Sequence, residues 1–505
     1  MPRGPGEDAA PDTGVARADV TGADDTAPGA DPRRWRALAV CLVAGGMTLL
    51  DVSIVNVALP SLRAGLQAGD REIQLVVAGY ALAFGVVLVP AGRLGDARSR
   101  RLMFAIGVSV FTLASAAAGA AQGPVWIALA RVVQGIGGGM ISPQVSGFIQ
   151  NLFRGAERGR AFGMFGATIG VSTAIGPILG GLLVKLGGPD FGWRLVFYVN
   201  VPVGILLLVL IRRLLPAGGT RRRQSLDPGG VLLFAFSVLL VLYPVVEGSQ
   251  GKPLAARPWW LLGPAVAGLV VFVFWERFWR SRDRETLVEL ALMRQASYVF
   301  GLGLGTFYFA GFTSIFLITT LFLQNGLGYT ALQAGATQMT FAVGSAVSAW
   351  LSGRLVQRYG RLLVVIGLLA VAVGLIGIDL LVPRVNGMVG LKLAPALLLT
   401  GLGGGLVVSP NVTLTLADVD PVHAGAGGGM LQTAQRVGSA LGVAVVLAQF
   451  FAGLGMTRGD YPRAFSDSLH TTIGFVGLAL VLALLDLLRR RFRRPRERAD
   501  EPAAA

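Results

Sequence analysis

The chain has 505 residues, of which 53% are hydrophobic and only 14% are charged, and its mean hydropathy is +0.64. A soluble globular chain carries about 25% charged residues, so the composition excludes an ordinary soluble domain. The single cysteine, Cys41, excludes a disulfide framework. The two histidines, His423 and His470, are too few and too far apart to indicate a metal site, and we predict no cofactor.

The net charge of +16 raises the possibility of a nucleic-acid-binding protein. The placement of the charges argues against it, because the 41 arginines and three lysines lie in short runs between apolar blocks and form no basic face of a domain. We therefore predict no nucleic-acid partner.

In chain order, residues 1–35 are predicted to be a disordered cytoplasmic tail, because they are rich in Ala, Gly, Pro and Asp and lack an apolar run. Fourteen apolar blocks follow, each near the ~20 residues that a helix needs to cross a bilayer. They cover residues 37–59, 73–92, 102–121, 124–150, 161–184, 195–211, 229–246, 259–276, 298–323, 332–353, 362–382, 390–416, 429–455 and 469–488. Residues 489–505 are predicted to be a basic, disordered cytoplasmic tail.

The basic residues predict the orientation of these spans. With the N-terminus in the cytoplasm, the cytoplasmic side holds 32 of the 44 Lys and Arg residues and the outer side holds 10. Because positive charge is retained on the cytoplasmic side, both termini are predicted to be cytoplasmic in a multi-pass protein of the cell membrane. The remaining two residues, Arg131 and Arg436, lie within spans.

Two pairs of segments indicate an internal duplication. GIGGGMISPQV at 135–145 is similar to GLGGGLVVSPNV at 401–412, and GRLGDARSRR at 92–101 is similar to GRLVQRYGR at 353–361. Both offsets correspond to eight spans, which predicts two six-helix bundles separated by a two-helix insert. The predicted units are a bundle at 36–213, a linker and insert at 214–290 (helices 7 and 8), and a bundle at 291–488.

Five segments have the character of family motifs. They are LDVSIVNVALP at 50–60, GRLGDARSRR at 92–101, RVVQG at 131–135, GVSTAIGPILGG at 170–181 and WRLVFYVNVPVG at 193–204. In combination they resemble the major facilitator superfamily, and within it the fourteen-helix drug:proton antiporter subfamily. The resemblance implies an all-α membrane fold, alternating access, multidrug or antibiotic efflux and a monomeric protein.

Asp51 and Arg131 are charged residues inside apolar spans, and such groups are costly unless they face a cavity or a partner. Asp51 lies about 12 Å and Arg131 about 10 Å from the outer ends of spans 1 and 4, at 1.5 Å per residue. The two charges are therefore predicted to meet. We interpret them as a proton- or substrate-sensing ion pair in which protonation of Asp51 releases Arg131; the alternative is a static pair that joins two helices.

The resemblance gives roles to two further groups. Asp96, in the loop after span 2 with Gly92, Arg100 and Arg101, is implied to contact a neighbouring helix end and to hold the cytoplasmic side closed. Ala97 and Ser99 depart from the usual Arg and Gly of this motif, and in the second copy Gln357 stands at the Asp position, which suggests that only the first half carries the charged switch. The antiporter motif of span 5 is implied to form a bend on which the halves rock; its residues are Gly170, Gly176, Pro177, Gly180 and Gly181.

Other polar or aromatic groups within the spans are candidates for a substrate cavity, although such groups more often bond across helices or pack against lipid. These candidates are Asn56, Tyr80, Gln134, Gln338, Asn411, Gln432 and Phe312. Arg436, early in span 13, is predicted to extend its charge to the membrane surface. Asp486, with Arg489 at helical spacing, is predicted to form a surface pair.

A phosphate-binding loop of the G-x-x-x-x-G-K-[ST] type is absent from the sequence, so an ion gradient is the predicted energy source. We predict proton-coupled export of small hydrophobic or cationic drugs, antibiotics or secondary metabolites. The alternative within the fold is a transporter of a physiological metabolite such as a siderophore, peptide or sugar. A membrane enzyme or receptor is disfavoured, because the sequence has no soluble domain and no nucleophile or metal constellation.

Overall fold

The computed structural model describes residues 33–216, 227–248, 258–282, 284, 286, 291–382 and 387–499. Apart from short turns, these residues form fourteen α-helices. They are α1 (Arg33–Leu66), α2 (Asp70–Ala97), α3 (Arg100–Gly119), α4 (Pro124–Leu152), α5 (Gly155–Tyr198), α6 (Asn200–Leu214), α7 (Pro228–Gly248), α8 (Leu262–Arg280), α9 (Ala296–Leu321), α10 (Ala331–Tyr359), α11 (Arg361–Leu381), α12 (Val389–Thr415), α13 (Ala424–Met456) and α14 (Tyr461–Ala499). The predicted all-α fold with fourteen helices is confirmed. Residues 1–32 of the predicted N-terminal tail lie outside the described residues.

Each helix contains one predicted span, with two differences at the edges. Helix α5 continues past the predicted loop before span 6 and is interrupted only at Gly188, where φ is 69°; the stretches that cross the membrane are Gly155–Gly188 and Asp190–Leu214. Helix α14 continues to Ala499, whereas we predicted a disordered tail from residue 489. The extra residues are mainly Arg, a good helix former, and residues 500–505 lie outside the described part.

Twelve helices of the described chain are long and apolar enough to cross a membrane by length and composition. Helix α7 contributes a shorter apolar stretch, Pro228–Val241. Helix α10 is rich in Thr, Ser, Gln and Gly, and it packs between α5 and α12. Because α10 packs against two helices, its polar residues can face protein, and it needs less hydropathy than a span that faces lipid on most sides.

The packing of the first six helices recurs eight helices later. The pairs α1/α5, α2/α4, α3/α4, α3/α6 and α1/α6 correspond to α9/α13, α10/α12, α11/α12, α11/α14 and α9/α14. The helices therefore form two similarly built six-helix bundles. Helices α7 and α8 pack on each other, and α7 also packs on α2 and α13, so the insert lies against both bundles.

We call the end of the molecule where α1 begins the terminal face. It includes the connections at residues 98–99, 153–154, 360 and 416–423. Near this face Arg34 donates a hydrogen bond to Glu157 at 2.8 Å, and the Trp35 and Phe153 ring centroids lie 4.7 Å apart.

The two bundles meet mainly along two helix pairs, α5/α10 and α2/α13, with smaller contacts of α5 with α12 and of α4 with α13. Glycines allow close approach in the first pair: a Cβ atom on Gly163 would lie 2.9 Å from the Gly353 Cα atom. In the second pair, a Cβ on Gly429 would lie 2.8 Å from the Leu88 carbonyl oxygen. Small residues at such crossings maximise van der Waals contact between helices in lipid, and here they bring the bundles together at the terminal face.

Candidate functional site

A buried polar cluster lies between α1, α3, α4 and α6. The Asp51 carboxylate accepts hydrogen bonds from Arg131 Nη1 at 2.6 Å, Gln134 Nε2 at 2.8 Å and Asn200 Nδ2 at 2.8 Å. Gln134 also donates to Ser115 Oγ at 2.7 Å and accepts from Arg131 at 2.7 Å. The structure thus brings Asp51 and Arg131 together, as the antiparallel arrangement of spans 1 and 4 predicted.

Arg131 has further contacts that orient it. Its Nε donates to the Val76 carbonyl oxygen at 3.1 Å, and its guanidinium lies 4.1 Å from the centroid of the Tyr80 ring. The Phe197 ring lies farther away, at 5.9 Å. Helices α1, α2 and α5 therefore all contact this side chain of α4, and the aromatic faces add cation–π attraction to its ion pair with Asp51.

The cluster is closed to solvent in this conformation. Asp51 and Gln134 are fully buried, and Arg131 is only 2% exposed. A charge in such an environment requires a partner of opposite sign, because its desolvation is otherwise not offset. Loss of the negative charge on Asp51 would therefore leave Arg131 as a buried cation and favour a rearrangement of α1 against α4.

Sequence reasoning did not single out Ser115 or Asn200. Asn200 is the one amide side chain in the WRLVFYVNVPVG segment, and its polarity within this apolar stretch could have identified it as a candidate. Ser115 stands among alanines in α3, and no pattern in the sequence marks it. Both are small polar groups that satisfy the hydrogen-bonding capacity of the charged pair and its Gln134 neighbour, as buried polar groups require.

At the terminal face, Asp96 joins the two bundles. Its carboxylate accepts hydrogen bonds from the backbone N–H groups of Gly425 at 3.1 Å and Ala426 at 2.9 Å, in the first turn of α13. Arg100 donates to the same carboxylate at 2.6 Å and to the Gly147 carbonyl oxygen at 3.1 Å. A carboxylate at a helix N-terminus satisfies free N–H groups and interacts favourably with the helix dipole.

Three other residues of the 92–101 segment make contacts of their own. Gly92 packs directly against the backbone of Gly425, where a side chain would clash. Arg101 donates to the Arg212 carbonyl oxygen at 2.7 Å on the surface, away from Asp96. Ser99, which replaces the usual glycine, caps α3 by accepting a hydrogen bond from the Leu102 N–H at 3.3 Å.

The corresponding region of the second bundle holds a buried charge pair that we did not predict. Arg361, at the start of α11, donates to Asp486 at 2.5 Å and to Asn411 at 2.5 Å, and both charged residues are 2% exposed. The prediction that Asp486 forms a surface pair with Arg489 is therefore wrong. Helical spacing identified a possible neighbour, but the side of α14 that carries Asp486 faces the bundle and not the surface.

Two further expectations concern this pair. Asn411 lies in the Arg361 cluster, where its Nδ2 donates to the Gly301 carbonyl oxygen at 3.0 Å, and not in an open cavity. That only the first bundle carries a charged switch stays a prediction, because these hydrogen bonds of Arg361 lie within its own bundle. Arg361 lies at the position that corresponds to Arg100, but its carboxylate partner comes from α14 and not from its own loop.

The antiporter motif packs α5 against two different helices. A Cβ atom on Gly170 would lie 3.2 Å from the Ala342 carbonyl oxygen of α10, whereas one on Gly180 would lie 3.0 Å from the Ile54 carbonyl oxygen of α1. Gly176 faces Ser53 of α1, and Pro177 lies near Gly335 of α10. A Cβ on Gly181 would have no atom within 4 Å. The motif thus lies where α5 contacts both its own bundle and the other one.

The remaining cavity candidates are dispersed. Asn56 is exposed on α1, and Tyr80 is buried beside Arg131 with its hydroxyl 3.3 Å from the Thr48 carbonyl oxygen. Gln338 donates to Thr320 at 2.8 Å within the second bundle, and Gln432 donates to the Ser142 carbonyl oxygen at 3.2 Å, across the two bundles. Phe312 lines a small cavity among the C-terminal helices; its neighbours there include Tyr308, Phe341, Val371 and Thr400.

Arg436 does not reach the membrane surface. Helix α13 begins at Ala424, five residues before the predicted span, which places Arg436 twelve residues, or about 18 Å, into the helix. Its side chain is half-buried and its guanidinium lies 4.5 Å from the centroid of the Phe84 ring. The charge therefore stays in the interior between α13 and α2.

Within the described ranges, no group of three His, Cys, Asp or Glu side chains is placed to hold a metal ion. The groups that do converge are hydrogen-bonded charge pairs between helices. Such pairs can exchange protons and change partners, which is the chemistry of a gated pathway through a membrane.

Comparison with known proteins agrees with this architecture. Residues 41–443 match the family model of the Major Facilitator Superfamily. The chain belongs to this superfamily and is a multi-pass membrane protein.

The chain is similar to named relatives over most of its length. It is 38% identical to the probable actinorhodin transporter of Streptomyces coelicolor, covering 88% of this chain and 78% of the relative. It is 37% identical to the puromycin resistance protein pur8 of Streptomyces alboniger, covering 91% and 90%. It is 34% identical to the multidrug resistance protein Stp of Mycobacterium tuberculosis, covering 86% and 80%.

Solved structures share the fold at low sequence identity. The human organic anion transporter MFSD10 matches with a TM-score of 0.64 at 14% identity, over 90% of this chain and all of that one. The proton:xylose symporter XylE matches with a TM-score of 0.64 at 15% identity, over 90% and 94%. These similarities concern the fold alone.

Proposed function

We propose that the chain exports drug-like compounds, antibiotics or secondary metabolites across the cytoplasmic membrane in exchange for protons. The names of the relatives, which include antibiotic and multidrug resistance proteins, support the export of such compounds. The buried Asp51–Arg131 pair carries the proposal of proton coupling, because a carboxylate that is held by a cation inside the membrane can exchange that cation for a proton.

The terminal face lies in the cytoplasm in this proposal. The excess of 32 basic residues on that side over 10 on the other supports the assignment. The working units are the two bundles, residues 36–213 and 291–488, with the linker and insert 214–290 beside them and the tails 1–35 and 489–505 in the cytoplasm. The protein works as a monomer without a cofactor, and it transports and does not catalyse a covalent reaction.

Transport follows from two linked changes. With the terminal face closed by Asp96 and α13, a proton from the outer side reaches Asp51 through the region of Asn56, which is exposed five residues further from the terminal face on α1. Neutral Asp51 releases Arg131, and the cluster between α1, α4 and α6 rearranges. The bundles then rock, the contacts of Asp96 break, and the proton leaves to the cytoplasm as substrate enters.

The test is gradient-driven transport by Asp51→Asn in proteoliposomes with an imposed pH gradient. Puromycin, the antibiotic named in one relative, is the first probe. We expect wild-type protein to accumulate puromycin against its gradient and a protonophore to abolish that accumulation. Asp51→Asn should reduce it to the level of empty liposomes, because a neutral side chain cannot take up and release the coupled proton.

The matched control is Asp460→Asn, which removes a carboxylate that accepts a hydrogen bond from the Arg463 N–H on the exposed start of α14. It should keep accumulation within about twofold of wild type, as surface substitutions generally do. Wild-type accumulation by Asp51→Asn would disprove the coupling role. If no antibiotic is transported but a siderophore, peptide or sugar is, the chain is a metabolite transporter of the same fold.

A further inference from the structure

Arg436 is a cation in the membrane interior that has no carboxylate partner among the described residues. Three of the buried arginines, Arg100, Arg131 and Arg361, each form an ion pair with an aspartate at 2.5–2.6 Å, whereas Arg436 is half-buried. Arg436 instead lies on the Phe84 ring, at 4.5 Å from its centroid. A ring attracts a cation only weakly compared with an anion in the same place, so most of the Arg436 charge is not compensated by the protein.

The position of Arg436 lies between the two bundles. One helical turn nearer the terminal face, Gln432 of α13 donates hydrogen bonds to Ser142 and Ser146 of α4 at 3.2 and 3.3 Å. One turn further on, Ser439 accepts a hydrogen bond from Thr313 of α9 at 2.8 Å. Arg436 therefore lies between a contact that joins the two bundles and a contact within the second bundle, where α13 packs against α2 and α4.

Aromatic residues lie on α2 and on α9, two helices that pack against α13. Phe84 lies under the guanidinium, and the Tyr80 ring, which contacts Arg131, lies 5.9 Å from the Phe84 ring between their centroids. On α9, half-buried Phe309, Phe312 and Phe316 follow Gly305 at helical spacing. Gly305 packs against Gln435, the residue next to Arg436. A Cβ atom on Gly305 would lie 3.4 Å from the Cγ atom of Gln435.

This combination selects a particular ligand chemistry. A guanidinium forms strong, charge-assisted hydrogen bonds with a carboxylate, often through two parallel N–H groups. In an interior of low dielectric constant the same charge repels a cationic compound. The rings of Phe84 and of α9 supply apolar faces for an aromatic body attached to the acidic group.

We propose that Arg436 binds the acidic group of the transported compound, and that the preferred substrates are aromatic acids. The inference rests on the proposed export function and, within it, replaces the expected hydrophobic or cationic substrates with anionic aromatic ones. An anion bound at Arg436 lies across Tyr80 from the Asp51–Arg131 pair, so substrate charge and proton charge act on one connected set of side chains.

The test compares two dyes with the same xanthene ring system: fluorescein, which carries a carboxylate, and rhodamine 123, which is a cationic methyl ester. Binding of each dye to purified full-length protein in nanodiscs is measured by fluorescence anisotropy without any gradient. We expect wild-type protein to bind fluorescein more tightly than rhodamine 123. Arg436→Gln should weaken fluorescein binding by about 10- to 100-fold, the range for a lost charged hydrogen bond.

Rhodamine 123 should bind Arg436→Gln more tightly than wild type, since the repelling charge is gone. Arg436→Lys keeps the charge and should lose less fluorescein affinity than Arg436→Gln. Arg458→Gln removes an exposed arginine beyond the end of α13 and should leave the ratio of the two affinities unchanged. Size-exclusion profiles and melting temperatures show whether each variant is folded.

A fall of about tenfold or more in the ratio of fluorescein to rhodamine affinity in Arg436→Gln supports the proposal. A smaller fall, a parallel loss of both dyes, or tighter binding of rhodamine by wild-type protein overturns it. Because binding needs no gradient, normal fluorescein binding combined with the absence of proton-driven transport would contradict the proposed function and leave the binding site intact.

Discussion

Two buried carboxylates, Asp51 and Asp486, have different surroundings although each pairs with an arginine. Asp51 lies in the middle of α1, among neutral donors from α4 and α6. Asp486 lies near the terminal face and holds Arg361, which also donates to the Ser297 carbonyl oxygen of α9 at 3.1 Å. Arg361 thus connects α9, α11, α12 and α14, and we expect this second pair to stabilise the C-terminal bundle and not to carry protons.

Removing only one member of that pair should destabilise the protein. In Asp486→Leu the Arg361 charge stays buried without its partner, a change that typically costs about 3–5 kcal/mol. We expect a clear fall in melting temperature in detergent. The double variant Arg361→Leu/Asp486→Leu should recover much of the loss, because no unpaired charge remains.

Arg489→Gln is the matched control, since Arg489 is the neighbour that helical spacing alone would assign to Asp486. It is exposed, and its replacement should change stability by less than about 0.5 kcal/mol. Equal effects of Arg489→Gln and Asp486→Leu would show that the buried pair is not the stabilising contact.

At the scale of one element, α5 has the largest share in joining the two bundles. Its glycines let α10 approach on one side and α1 on the other. We therefore expect this helix to transmit movement from the charged cluster beside α1 to the opposite bundle. The neighbouring glycines Gly180 and Gly181 have different surroundings, because only Gly180 packs closely against another helix. Substitutions at these two positions therefore distinguish an effect of close helix packing from an effect of glycine on the helix itself.

Gly180→Ala and Gly181→Ala test this difference. A Cβ at Gly180 would press on the Ile54 carbonyl at 3.0 Å, and overpacking of this kind costs about 1–3 kcal/mol. At Gly181 the space is open, and alanine favours a helix over glycine by about 1 kcal/mol. We expect lower melting temperature and slower transport for Gly180→Ala only; equal losses in both would contradict the packing argument.

For the whole molecule, the closed terminal face depends on a few contacts between the bundles. Asp96 holds the first turn of α13, and a carboxylate at a helix N-terminus contributes up to about 2 kcal/mol when partly buried. A difference of that size changes the ratio of closed to open molecules by more than tenfold. We therefore expect the loop motif to affect the balance of closed and open molecules through Asp96.

Spin labels at Arg98→Cys and Val422→Cys report whether the terminal face is closed. Both residues are exposed, and they lie on opposite sides of the contact between Asp96 and α13. The single native cysteine, Cys41, is buried and should not label. Double electron–electron resonance measures the distance between the two labels. We expect Asp96→Asn to shift part of this distance distribution to longer values. Glu157→Gln, which breaks a pair within one bundle at the same face, should leave the distribution unchanged; a shift there of equal size would refute the role of Asp96.

The sequence by itself determined the fourteen helices, their order and their duplication, because lipid imposes a length and an apolar composition on every span. It also brought out Asp51 and Arg131, since a charge inside an apolar block is conspicuous in the sequence. It misplaced Asp486, Asn411 and Arg436, whose surroundings depend on which face of each helix meets which neighbour.

Only the tertiary structure decided those surroundings. Ser115 and Asn200 join the Asp51 cluster from helices far apart in the chain, and Asp486 replaces a carboxylate that the second loop lacks. Successive residues of a helix are rotated by about 100°, so each side chain occupies a different face. Because these spans are apolar on all sides, their hydrophobic pattern does not indicate which face meets a neighbouring helix. The packing of the bundles, including the glycine contacts of α5 and α13, sets that rotation and so selects which polar groups meet.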